Sequence, residues 1–192
     1  MRRITLDIET EGVFTGGLPD FSELEITVVG IHDTHGDKYS CFTKDELGAL
    51  WPMLESADML VGYNSEHFDI PILNKYYAGD LSKIKHIDLL KEIKQVLGRR
   101  LRLDSVAEAT LGKKKSGNGL DAGKWWAAGE FEKVKAYCLD DVRITKELYE
   151  YAIKNSLLKY KDFEGLRDIK LDTSMWETTS SDQASLTHTL PF

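Results

Sequence analysis

The stretch from Arg3 to Thr10 constrains the chain more than any other. Its residues alternate between apolar and polar in the order Ile4, Thr5, Leu6, Asp7, Ile8 and Glu9, which is the period of a β-strand. Asp7 and Glu9 therefore lie on one face, about 7 Å apart along the strand. Two carboxylates at that spacing repel each other unless a cation lies between them, and hard oxygen ligands suit Mg²⁺ or Mn²⁺ rather than zinc. The alternative is a solvent-facing edge strand with two ordinary surface acids.

The composition fits one soluble globular domain. The chain has 192 residues, of which 42% are hydrophobic and 30% charged. No apolar run approaches the roughly 20 residues of a membrane span, and Met1 leads into the first strand without a signal-peptide region, so we expect no membrane association. The two cysteines, Cys41 and Cys138, fit no metal-binding spacing and no disulfide framework, which favours a reducing, cytoplasmic location.

Charge is distributed unevenly along the chain. The net charge is −7, yet the segment 83–124 is rich in lysine and arginine while the rest of the chain is acidic. A basic segment of this kind could line a groove for a polyanion. Solvated helix faces would produce the same pattern, so charge alone leaves both interpretations open.

The remaining pattern predicts an α/β layer fold with a mixed sheet. Further strands are predicted at 26–32, 38–42, 58–64, 84–89 and 169–175, the first two completing an antiparallel meander. Helices are predicted at 44–55, 68–77, 90–97, 105–111 and 130–155, with a capping box of Thr43 and Glu46 before the first and Asp104 capping the fourth. A mobile Gly/Lys-rich loop is expected at 113–123. The Ser/Thr-rich end predicts a disordered tail, 177–192, after a single domain, 1–176.

Three further places carry matching polar residues. Asn64 ends a predicted buried strand and Asp69 begins the next helix, at a strand end of the kind where α/β sheets bind ligands. Tyr137 and Asp141 are four residues apart and share one face of the long helix. Asp88 is an acid between apolar residues. Each of these places has a structural alternative. Asp69 and Asp88 could be helix caps, and Tyr137 and Asp141 could be a partly buried tyrosine and a surface acid.

In this order the motifs resemble the DEDD family of 3′–5′ exonucleases, in the branch with tyrosine at the third motif. The match is closest to the proofreading exonuclease domain of family B DNA polymerases. It consists of DIET at 7–10, GYN at 62–64 with FDIP at 68–71, and YCLDD at 137–141. The segment 103–112 with Lys114 is also similar, so the resemblance covers residues 2–155. It implies a ribonuclease-H-like fold, with a mixed sheet of an antiparallel meander plus parallel strands, flanked by helices.

The resemblance also implies two divalent ions, Mg²⁺ or Mn²⁺, held by Asp7, Glu9, Asp69 and Asp141. Tyr137 would hydrogen-bond the attacking water, and because a phenol has a pKa of about 10 we expect it to orient that water rather than deprotonate it. The terminal nucleotides would meet Thr10, Asn64 and Phe68. The candidates for phosphate contacts are the basic residues Arg99, Arg100, Arg102, Lys113, Lys114 and Lys115. Trp125 and Trp126 are expected to stack on bases or to pack in the core.

The function implied is a metal-dependent 3′–5′ exonuclease that releases nucleoside monophosphates from single-stranded DNA ends. Because 192 residues leave no room for a polymerase domain, we expect a free-standing proofreading or DNA-repair enzyme or a subunit of an assembly. The alternatives are an exoribonuclease that trims RNA and a nucleic-acid-binding module without catalysis. Gln183 to Leu186 weakly resembles the start of a sliding-clamp-binding peptide, which suggests a replication or repair partner for the tail.

Overall fold

A computed structural model describes residues 1–12, 21–113 and 119–178. Within these ranges, five strands form one sheet in the order β3-β2-β1-β4-β5. They are β1 (Arg3–Glu11), β2 (Glu25–Asp33), β3 (Lys38–Thr43), β4 (Met59–Gly62) and β5 (His86–Asp88). The first three strands are antiparallel, whereas β4 and β5 run parallel to β1. The predicted mixed sheet is confirmed, and β1 is its central strand rather than an edge, so the edge-strand alternative is wrong.

Helices cover both faces of this sheet. They are α1 (Leu47–Glu55), α2 (Asp69–Leu73), α3 (Leu89–Leu97), α4 (Leu103–Leu111), α5 (Gly119–Ala127) and α6 (Phe131–Asn155). Short 3₁₀ turns lie at Phe21–Glu23, Lys44–Glu46 and Leu81–Lys83. A separate hairpin of β6 (Leu157–Asp162) and β7 (Gly165–Lys170) follows α6. None of the helices described is long and apolar enough to cross a membrane.

The alternation in β1 separates two layers. Ile4, Leu6 and Ile8 are buried in one cluster with residues of α1 and α2. The opposite face of the sheet lies under α6, which packs on both β1 and β2. Complete burial of an aliphatic side chain contributes about 1.5–3 kcal/mol, so the apolar layer stabilises the strand that carries Asp7 and Glu9 on its other face.

Several predicted boundaries are wrong. The predicted loop 113–123 contains the start of α5, and the predicted strand 169–175 is instead a hairpin that ends at Lys170. The helix predicted at 68–77 ends at Leu73, because the chain continues in tighter turns, with hydrogen bonds from Lys75 to Ile72 and from Tyr76 to Leu73. Asp104 lies in the first turn of α4, not at its cap, which is Arg102.

The start of the predicted tail belongs to the folded domain. The Lys85 ammonium donates to the carbonyl of Thr178 at 2.6 Å, and the Glu177 carboxylate accepts from Tyr149 at 3.2 Å and from Arg3 at 3.1 Å. The domain therefore extends at least to Thr178. Residues 179–192, with the clamp-like segment, lie outside the described residues, as do Lys114 and Lys115.

Gly30 determines how closely α6 approaches the sheet. A Cβ built at Gly30 would lie 2.8 Å from the Cys138 sulfur and 3.1 Å from Val142 Cγ2. Gly30→Ala should lower the free energy of unfolding by about 1–3 kcal/mol, because the helix must move outward. Urea denaturation measures this. Gly48→Ala is the matched control: no atom lies within 4 Å of its Cβ position in α1, so alanine there should stabilise by about 0.5–1 kcal/mol. Equal effects at both positions would contradict the packing argument.

Candidate metal centre

Three carboxylates converge where α6 crosses β1. Oxygen atoms of Asp7, Glu9 and Asp141 all lie within 4.8 Å of one another. Asp7 and Glu9 are half-buried on the α6 face of the strand, and Asp141 is buried in the helix above them. Such a group of hard oxygen donors matches the ligands that Mg²⁺ and Mn²⁺ prefer. The structure thus brings together three of the four predicted metal ligands.

A β-bulge follows this pair of acids. The register between β1 and β2 shifts between Glu9 and Thr10: Glu9 pairs with Val28, but Thr10 pairs with Ile26. Thr27, the extra residue, donates its hydroxyl to the Glu9 carbonyl at 2.9 Å. Bulges redirect side chains and are common beside active sites. The bulge therefore sets the directions in which the side chains of Glu9 and Thr10 project from the strand.

The side chain of Asp69, the fourth predicted ligand, is hydrogen-bonded to the backbone of the same strand. Pairing between β1 and β4 ends at Thr5, and the Ile8 N–H farther along β1 donates to Asp69 Oδ1 at 3.1 Å. Asp69 begins α2 and is only 4% exposed. It lies outside the cluster of three acids. Burial raises the pKa of its carboxyl to about 8.

Asp88 has a structural role, as its cap alternative predicted. Its carboxylate caps α3 by accepting from the N–H groups of Leu90 at 3.0 Å and Lys91 at 3.3 Å. It also accepts from the N–H groups of Asn64 at 2.8 Å and Glu66 at 3.0 Å. One buried carboxylate therefore joins the start of α3 to the turn that follows β4.

That turn explains the glycine of the GYN motif. A Cβ at Gly62 would lie 2.0 Å from the Ser65 hydroxyl, which is hydrogen-bonded to His86 Nε2 at 2.8 Å. Asn64 adopts a left-handed conformation, with φ of 67°, which asparagine tolerates better than most residues. Its side-chain oxygen accepts a hydrogen bond from Arg100. The Ser65–His86 pair escaped the sequence analysis because no spacing pattern links the two residues.

A second feature of the site is a groove beside Tyr137. The groove has a volume of about 400 Å³, and its lining consists of Trp125, Lys133, Ala136, Tyr137 and Asp140. Tyr137 is 4% exposed, and its ring meets Trp125 edge-to-face at 5.7 Å between centroids. The Lys133 ammonium lies 4.2 Å from the centroid of Trp125. Trp125 thus packs against the buried cluster around Tyr137 and also lines a groove that contains the cation Lys133 and the acid Asp140. Trp126 packs against the same cluster and also meets Phe131.

The basic residues predicted to bind phosphate are dispersed. Arg100 lies beside Asn64, and both line a cavity of about 240 Å³ together with Lys91 and Lys94. The other described candidates have other neighbours: Arg99 lies over the Tyr160 ring at 5.2 Å, Arg102 pairs with Asp104 at 3.0 Å, and Lys113 pairs with Glu147 at 2.6 Å.

The predicted nucleotide-contacting residues differ in exposure. Phe68 is half-buried and meets Phe21 edge-to-face at 5.8 Å between centroids. Thr10 is half-buried after the bulge. Both side chains therefore retain surface that a ligand can reach.

The raised pKa of Asp69 predicts how stability without metal depends on pH. Between about pH 4 and pH 8 the folded protein keeps a proton that the unfolded chain has lost, so the free energy of unfolding falls as pH rises through this range. Asp69→Asn should flatten that fall. Urea denaturation in EDTA at several pH values measures it, with exposed Asp45→Asn as the control. An unchanged slope in the Asp69 variant would contradict the assignment.

Comparisons with known proteins agree with this architecture. A family model described as RNase_H superfamily matches residues 4–153. Among solved structures, the chain is similar to a family B DNA polymerase from the hyperthermophilic archaeon Pyrobaculum calidifontis, with a TM-score of 0.62 and 20% identity. The match covers 79% of this chain and 24% of the polymerase. No curated protein matches. The predicted ribonuclease-H-like fold is confirmed, and the chain belongs to the RNase H superfamily.

Proposed function

We propose that this chain is a metal-dependent 3′–5′ exonuclease that hydrolyses single-stranded DNA from its end and releases nucleoside monophosphates. The observation that carries the proposal is the convergence of Asp7, Glu9 and Asp141 at one point of a ribonuclease-H-like fold. Nucleases of this superfamily use divalent metals. A binding module without catalysis would have no need to hold mutually repelling carboxylates within 4.8 Å of one another.

The residues present fit a divalent-ion site. Asp7, Glu9 and Asp141 supply oxygen donors, and Asp69 is a further buried acid tied to the same strand. Together these four acids would hold two ions, Mg²⁺ or Mn²⁺. When bound, such ions activate water and stabilise the charge on a transferring phosphate.

The other residues of the site would position the substrate and the attacking water. The Tyr137 ring is buried and meets Trp125 edge-to-face, which restricts its movement. Its hydroxyl would orient the attacking water rather than deprotonate it, because a phenol is a weak base at neutral pH. Asn64 and Arg100, which are hydrogen-bonded to each other, would contact the terminal nucleotides. The Trp125 groove offers an aromatic ring on which a base could stack, beside the Lys133 ammonium, which is paired with Glu130 at 2.8 Å.

The choice of DNA over RNA rests on the resemblance to polymerase proofreading domains. Proofreading and DNA repair are the processes we propose for such an activity, with a replication partner for the tail and a cytoplasmic location as further predictions. An exoribonuclease remains the second candidate because its chemistry requires the same acids.

Shortening of 5′-labelled oligonucleotides tests the activity. Matched single-stranded DNA and RNA are incubated with the protein and Mg²⁺ or Mn²⁺, and the expected result is a ladder of shortened DNA with nucleoside monophosphates as product. Asp7→Ala should slow the reaction by roughly 100-fold or more, because a metal ligand is lost, while Asp45→Asn should not. Circular dichroism checks that both variants fold. Shortening of RNA alone would favour the exoribonuclease, and shortening of neither polymer would favour the binding module.

Arg100 and Arg102 form a matched pair for testing the path of the strand. Arg100 contacts Asn64, whereas Arg102 is paired with Asp104 on the exposed start of α4. Arg100→Ala should weaken binding to single-stranded DNA and reduce the slope of log affinity against log salt by roughly 0.7, the value for one phosphate contact. Although Arg102 is also a candidate for phosphate contact, Arg102→Ala should change both less, because Asp104 already compensates its charge. Fluorescence anisotropy in EDTA measures both, and equal slopes for the two variants would contradict the assignment.

A further inference from the structure

Strand register places three residues side by side across the sheet, next to the metal centre. Asp7 on β1 pairs with Gly30 on β2, and Gly30 pairs with Cys41 on β3. Paired residues on neighbouring strands direct their side chains to the same face of a sheet. Because Gly30 has no side chain, Cys138 of α6 occupies the space above it, with its sulfur 2.8 Å from the position of a Cβ there. Cys138 thus lies between Asp7 and Cys41.

The two thiols differ in their surroundings. Cys138 is completely buried, and its thiol donates to the Asp7 carbonyl at 3.4 Å. Cys41 packs against the cluster that contains Cys138 and is partly exposed, so a small reagent can reach it. A hydrogen bond with the Cys138 thiol and, less strongly, the charge of Lys135 lower the pKa of Cys41. These are the only two cysteines in the sequence, and they are neighbours in the fold.

We propose that Cys41 and Cys138 form a modification site, in which a hydroperoxide oxidises the pair to a disulfide that joins β3 to α6 behind Asp7. The Cys41 sulfur attacks one oxygen of hydrogen peroxide, the O–O bond breaks, and the second oxygen leaves as water, giving a sulfenic acid on Cys41. The Cys138 sulfur then attacks the Cys41 sulfur, the S–O bond breaks, and water leaves with the Cys138 proton. In total the thiols lose two electrons and two protons, and one peroxide becomes two waters.

The disulfide would disturb the metal centre. An S–S bond of about 2.05 Å draws the Cys138 sulfur toward β3 and breaks its hydrogen bond to the Asp7 carbonyl. Asp141 lies less than one turn farther along α6, so the same movement changes the spacing between Asp141 and Asp7. This consequence rests on the proposed metal centre, whereas formation of the disulfide does not. Oxidation is expected to weaken metal binding, and a thiol reductant to restore it.

Intact mass and thiol counting test the modification directly. The full chain is treated with hydrogen peroxide, quenched, denatured and labelled with a maleimide. The wild type should lose the mass of two hydrogens and both free thiols, and dithiothreitol should restore them. Cys41→Ser should keep the Cys138 thiol, because that sulfur is buried, and Cys138→Ser should gain oxygen instead. Wild-type protein with two free thiols, oxygen adducts alone or a disulfide between two chains would overturn the proposal.

Calorimetric titration with Mn²⁺ tests the coupling to Asp7. The oxidised wild type should bind Mn²⁺ roughly 10-fold more weakly than the reduced protein, a loss typical of disturbing groups that position metal ligands. Peroxide-treated Cys41→Ser should bind like the reduced wild type. A disulfide with unchanged Mn²⁺ affinity would overturn the coupling. Failure of the proposed nuclease activity would be distinguishable from this. The protein would form the disulfide when oxidised and bind Mn²⁺ when reduced, yet the reduced form would shorten no oligonucleotide.

Discussion

The hydrogen bond from the Ile8 N–H to Asp69 joins the two halves of the site. Strand β1 pairs with β2 from Ile4 to Glu11, but its pairing with β4 ends at Thr5. The donor farther along would have no strand partner on that side, and a buried unpaired N–H costs about 1–3 kcal/mol. The Asp69 carboxylate accepts it, which fixes the start of α2 against the strand that carries Asp7 and Glu9. Because β4 ends at Gly62 while β1 continues to Glu11, the end of β4 leaves an opening for a ligand and a free backbone donor that holds an acid beside it.

Electrostatics and packing oppose each other at this point. Three carboxylates close together and the buried Asp69 destabilise a metal-free fold, and the raised pKa of Asp69 is one expression of that cost. The apolar layer of Ile4, Leu6 and Ile8 beneath the same strand offsets it. The two faces of β1 therefore differ in energy as well as in polarity. The apolar face stabilises the fold, whereas the acidic face is suited to binding a cation.

The sequence predicted the parts of this structure that have strong periodicity or capping signals. Strand β1, the meander and helix α6 follow directly from alternation and from apolar residues at helical spacing. Helix α5 was missed because Gly119 and Gly123 suggest a loop, although Trp125 packs on the Tyr137 cluster and stabilises the helix through tertiary contact. The β6–β7 hairpin was missed because few of its side chains are buried, so its charged residues conceal the alternation. Motif spacing identified the acids, but not the connections of Asp88, which depend on contacts distant in sequence.

Gly30 shows why the geometry of such a centre cannot be derived from its ligands alone. The distance between Asp141 on the helix and Asp7 on the strand depends on how closely α6 packs on the sheet, and that approach is set at a glycine on a different strand. The space left by the missing side chain accommodates Cys138, whose sulfur contacts the Asp7 backbone. Because packed interiors transmit displacement, added volume at Gly30 or a new bond at Cys138 is expected to alter the spacing of the carboxylates. A centre divided between a strand and a crossing helix is therefore as rigid as the contact between them, and it is sensitive to chemistry at residues that hold no metal.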